Sequence, residues 1–106
     1  MKSKVYNKLI RDKIPQIIEK SGKHAVIEKV TGNEYINLLN EKLGEELQEF
    51  MESQSVEELA DLVEVVYAIL DCKKVSIEDF EAIRQQKVNE RGAFKERLLL
   101  KEVIEG

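Results

Sequence analysis

Apolar residues recur at helical spacing through the middle of the chain. Ile36, Leu39, Leu43, Leu47 and Phe50 follow one another at intervals of three and four, the stripe of an amphipathic helix. Thr31-Gly32-Asn33-Glu34 precedes them with the spacing of a capping box, Thr31 as N-cap and Glu34 reaching back, so a helix is expected over 32–52. Ser55-Val56-Glu57-Glu58 repeats the signature and opens a second helix, 56–72, whose stripe is Leu62, Val65, Val66 and Ile69. Ser76-Ile77-Glu78-Asp79 carries an Asp version of the box and opens a third, 77–92, which ends at Gly92.

The flanks are less regular. Residues 1–30 read as a basic N-terminal arm with one short helix. Pro15 suits that helix's first turn, and Ser21-Gly22 supplies a left-handed stop. Ala25 to Val30 is too short for a convincing helix and reads as an extended segment. The tail, 93–106, carries Leu98-Leu99-Leu100 and is expected to dock on the bundle or on a second subunit. No internal repeat at a solenoid period is present. The expectation is an all-α helical bundle forming a single domain over 1–106, too short for two ordinary domains.

Charge changes this picture more than composition does. The chain is 36% charged and 42% hydrophobic with a net charge of −4, which fits a soluble, helix-rich protein and argues against stable nucleic-acid binding. The signs are unevenly placed. Lys2, Lys4, Lys8, Arg11, Lys13 and Lys20 crowd the start, and Lys87, Arg91, Lys95, Arg97 and Lys101 crowd the end, around an acidic centre. One cysteine, Cys72, precludes an internal disulfide and fits a reducing cytoplasm, where a small buried hydrophobe is its ordinary role. No apolar run approaches the roughly 18 residues of a membrane span, and the N-terminus lacks a signal peptide's apolar core.

The acidic centre holds Glu45-Glu46-x-x-Glu49 and Glu58-x-x-Asp61. Charge runs on helices are usually solvated faces, so the rotation of each acid decides. At about 100° per residue, Glu58 lies between Val65 (about −20°) and Ile69 (about +20°), inside the apolar stripe, with Asp61 at its margin. Glu46 lies about 20° from Leu39, with Glu49 beside it. Carboxylates facing inward need a partner, and no basic residue occurs between Val56 and Cys72. A hard divalent cation with oxygen ligands is that partner. Glu45 borders the cluster and can hold or deprotonate a water. Lys87 and Arg91, four apart, share one helix face and suit a polyphosphate. His24 and the three tyrosines read as surface or packing residues.

Glu-Glu-x-x-Glu followed by Glu-x-x-Asp resembles the acidic signature of the MazG-like all-α nucleoside triphosphate pyrophosphohydrolases. The stretches Tyr6 to Pro15 (YNKLIRDKIP), Glu57 to Leu62 (EELADL), and Lys87 with Arg91-Gly92-Ala93-Phe94 are similar to the subgroup related to phosphoribosyl-ATP pyrophosphohydrolases. Together they span most of the chain. The resemblance implies Mg²⁺-dependent hydrolysis of a nucleoside triphosphate to monophosphate and pyrophosphate, with Mn²⁺ as a substitute ion. It also implies Glu46, Glu49, Glu58 and Asp61 as metal ligands and, together with the apolar tail, a homodimer or homotetramer; Glu45, which borders the cluster, and Glu46 are the expected catalytic groups. Lys8, Arg11, Lys13, Lys87 and Arg91 are the expected phosphate-binding residues. Two departures stand out: Glu58 follows Glu49 by only nine positions, and Ala93 replaces the second glycine of a more usual Arg-Gly-Gly-Phe. Two other readings compete: a phosphoribosyl-ATP pyrophosphohydrolase of histidine biosynthesis, and a non-enzymatic helical interaction module in which the acids are structural or solvated. An antitoxin-like or phage-encoded regulator is a third.

Overall fold

The computed structural model describes residues 2–106, so Met1 of the arm lies outside the described residues. Four helices form: α1 (Ile14–Lys20), α2 (Gly32–Ser53), α3 (Val56–Cys72) and α4 (Ile77–Arg91), and the described residues contain no strand. The three long helices therefore fall within one residue of their expected bounds. The all-α class holds. The chain divides into two compact units, Met1–Lys74 and Val75–Gly106.

In the first unit α2 and α3 pack side by side, joined by Gln54 and Ser55 in the manner of an αα-hairpin. Gln54 makes the tight link possible by adopting a left-handed conformation at φ 58°, while its N–H bonds the Phe50 carbonyl. Ser55 then starts α3, its Oγ accepting from the Glu57 N–H at 3.2 Å. The N-cap bond is thus made one residue earlier than expected, and the reciprocal half of the box is not formed, because the Ser55 N–H bonds Ser53 Oγ at 3.1 Å. Thr31 has the extended backbone of an N-cap but makes no side-chain cap bond, so that box is not formed.

The hydrophobic contact is small. Leu39 on α2 and Val65 and Leu70 on α3 are the buried apolar side chains. The expected stripe on α2 needs correction, because Ile36 and Leu47 are 45% and 51% exposed. With Glu46 set at zero, these two fall about 80° and 100° around the helix, beyond the face that meets α3. Lys42, Glu46 and Glu49 occupy that face between the apolar positions, and each is buried or half-buried. The hairpin's interior is therefore apolar at the Leu39–Leu70 end and carboxylate-rich near the linking turn.

Residues 2–13 form no helix, and Leu9 is the half-buried residue among positions 2–13. Pro15 stands in the first turn of α1, as its lack of an N–H favours, and Gly22 at φ 88° follows the helix end. The segment from Ala25 to Val30 has no regular structure.

The second unit is α4 and the tail. Ser76 Oγ accepts from the Asp79 N–H at 3.0 Å, forming the expected cap, and Gly92 at φ 84° ends the helix. Leu98, Leu99 and Leu100 are at least three-quarters exposed. Among the described residues no helix is long and apolar enough to cross a membrane.

Candidate metal centre

Burial of Glu46 follows from its place on α2. It stands on the face that meets α3, and only 6% of the residue is exposed. One oxygen, Oε1, lies 3.3 Å from Lys42 Nζ, one turn earlier on the same helix. The other, Oε2, is buried without a hydrogen-bond partner. Glu58 on α3 repeats this state: its Oε2 is also buried and unpartnered. A buried carboxylate oxygen left unpaired carries the full desolvation penalty, so two of them on one helical hairpin require an explanation.

The two are indeed neighbours. One carboxylate oxygen each from Glu46, Glu58 and Asp61 lies within 4.8 Å of the others. Three-residue spacing on α3 puts Glu58 and Asp61 on one face, and the hairpin brings Glu46 across to them. Glu49 is half-buried one turn further along α2 and stands outside this trio.

Electrostatics distinguish the acids. Burial pushes the Glu46 carboxyl above its ordinary value; Lys42 opposes this and the neighbouring Glu49 reinforces it. Glu45 behaves oppositely. Its Oε1 accepts from Lys8 Nζ at 2.8 Å and lies 3.4 Å from Lys42 Nζ, and the Lys8 hydrogen bond holds its carboxyl below the ordinary range. Asp61 is engaged from the arm as well, its Oδ1 lying 2.6 Å from Arg11 Nη2.

Of the ten residues singled out from sequence, Glu46, Glu58 and Asp61 converge. Glu45, Lys8 and Arg11 meet the edge of that cluster. Lys13 is the exposed N-cap of α1 and makes no ion pair among the described residues. Lys87 and Arg91 belong to the second unit, where they line an open groove with Arg84, Val88 and Phe94. Lys42 was missed. The sequence does contain its signal, a lysine four residues before Glu46 on the same helix, whereas the absence of basic residues holds for α3 alone.

An oxygen-only donor set with two unpartnered buried atoms fits a hard divalent cation. At the opposite end of the hairpin, the hollow lined by Ile36, Leu39, Ile69 and Cys72 offers no carboxylate and no comparable chemistry. No family model, curated protein or solved structure matches this chain.

Proposed function

We propose that the acidic centre of α2 and α3 holds Mg²⁺ and that the protein hydrolyses a nucleoside triphosphate to its monophosphate and pyrophosphate. The observation that carries this reading is the pair of buried, unpartnered oxygens, Glu46 Oε2 and Glu58 Oε2, in a cluster completed by Asp61. The resemblance of the acidic centre to the MazG-like signature, with the accompanying arm and Arg-Gly-Ala-Phe stretches, supports this reaction class.

In this proposal Glu46, Glu58 and Asp61 hold the ion, and Glu49 extends the acidic row along α2. The ion, when bound, neutralises phosphate oxygens and lowers the pKa of a coordinated water. Glu45 has two cations against one oxygen and a depressed proton affinity. Those properties suit accepting a hydrogen bond from an attacking water and orienting it, rather than storing its proton. Lys8 and Arg11 bring positive charge to the cluster's edge, and Lys87 and Arg91 present a second cationic surface on α4. Both sets suit phosphate oxygens.

A homodimer or homotetramer belongs to the same proposal. The hairpin buries three apolar side chains, while the tail leaves Leu98, Leu99 and Leu100 open to cover by another copy. A cytoplasmic setting, consistent with the lone unpaired Cys72, is proposed with it.

The test is pyrophosphate release from standard and damaged nucleoside triphosphates and from phosphoribosyl-ATP, with and without Mg²⁺. Release that requires the ion is the expected result, and the best substrate separates a triphosphate enzyme from the histidine-pathway alternative. Silence across the panel from folded protein overturns the reading. One observation favours a second reading in that event: Arg11 and Lys8 already neutralise Asp61 and Glu45, as they would in a structural ion-pair network.

A further inference from the structure

The N-terminal arm is held in an unusual way. Residues 2–13 contain no helix, and Leu9 is half-buried while the rest of that segment is exposed. What connects the arm to the hairpin is charge: Lys8 to Glu45 at 2.8 Å and Arg11 to Asp61 at 2.6 Å. Asn7 turns the backbone at φ 48° just before Lys8, a conformation asparagine tolerates better than most residues. Segments with so few buried contacts open readily, and exposed ion pairs contribute little to holding them.

One of these two anchors is also a member of the convergent trio. Asp61 offers an oxygen to the cluster with Glu46 and Glu58, and its Oδ1 receives the Arg11 guanidinium. A guanidinium and a divalent ion on one carboxylate draw on the same charge, so each weakens the other's hold. The unpartnered oxygens of Glu46 and Glu58 favour the divalent ion, because a single Arg11 pair leaves both of them unsatisfied.

We propose that the arm is a metal-released strap: Arg11 occupies Asp61 when the cluster is empty of metal, and a divalent cation entering the cluster displaces it. This rests on the metal reading of the acidic centre and adds a regulatory consequence. Metal binding frees Arg11, and with it the arm that carries Lys8, at the moment when an anionic ligand gains a metal to bind. Arg11 thus passes from the protein's own carboxylate to the phosphate oxygens of the incoming ligand.

The experiment is a Mg²⁺ titration of the whole chain, followed by calorimetry and by the NMR signal of the Arg11 side-chain N–H, on wild type, Arg11→Gln and Lys13→Gln. Lys13→Gln removes the same charge two residues away without breaking an ion pair. The strap requires that Mg²⁺ moves the Arg11 signal to the position of a free guanidinium. It also requires that Arg11→Gln binds Mg²⁺ about three- to fivefold more tightly than Lys13→Gln, the worth of one exposed ion pair. If Mg²⁺ binds with the Arg11 signal unmoved, or if the two variants bind alike, the strap is overturned and the metal site stands. If neither wild type nor Arg11→Gln binds Mg²⁺, the strap and the metal reading fall together.

Discussion

Lys42 Nζ lies 3.3 Å from Glu46 Oε1, and it satisfies only half of that carboxylate. The lysine is itself 17% exposed and shares its charge with Glu45 at 3.4 Å. The cluster is therefore under-compensated as it stands: Glu46, Glu58 and Asp61 face each other with one shared lysine and one arm arginine nearby. Such a site destabilises the protein as it stands, and under the proposed metal reading a bound cation would relieve that cost.

Glu46→Gln should accordingly stabilise the metal-free protein. Burial raises the folded-state pKa of Glu46 above 4.5, its ordinary value, so stability is greatest below that value and is lost as pH rises through the folded pKa. The gain from the amide should be fully present at neutral pH and shrink as the solution is acidified. Urea melts of both proteins in chelator across that range check it; a gap that widens on acidification contradicts the burial argument.

Glu58→Gln should abolish Mg²⁺-dependent turnover and leave the helices in place. Glu58 sits in the apolar stripe of α3 with an unpartnered oxygen, and the substitution removes charge without removing volume. Circular dichroism with the pyrophosphate assay distinguishes the outcomes. Full activity in this variant would sink the assignment.

Leu39→Ala should destabilise by about 2–4 kcal/mol, because it opens a cavity where the hairpin has little else buried. Leu47→Ala on the same helix should change stability by about 0.5 kcal/mol or less, as expected of a half-exposed site. Chemical denaturation compares the two directly. Equal losses would mean that α2 is rotated relative to the packing described above.

Ser76→Ala should lower the stability of α4 by about 1 kcal/mol, since its hydroxyl caps the Asp79 N–H. Thr31→Ala should have a much smaller effect on α2, whose N-cap side chain makes no such bond. Helicity measured against temperature for the two variants tests whether sequence capping signals or observed hydrogen bonds set the helix ends.

Much of this is legible in the sequence. The starts of α3 and α4 follow from Ser55 and Ser76, and the stop of α4 from Gly92, because capping is decided by a few consecutive residues. The inward direction of Glu46 and Glu58 was equally readable, since rotation around a helix depends only on spacing. The Thr31 box failed because residue types permit a hydrogen bond without requiring it. Ile36 and Leu47 depart from the expected stripe because spacings of three and four drift around the helix, which carries its edges away from α3.

Local spacing therefore determined the elements and the candidate acids. The tertiary structure alone decided which acids meet: Glu46 with Glu58 and Asp61, and Glu49 outside the trio. It also decided that Lys8 and Arg11 reach back to Glu45 and Asp61 across 37 and 50 positions. The reason is physical. Periodicity fixes how a side chain is rotated about its own helix, but convergence depends on the turn between helices, their axial offset and the path of an irregular arm. Those are settled by packing and by charges distant in sequence.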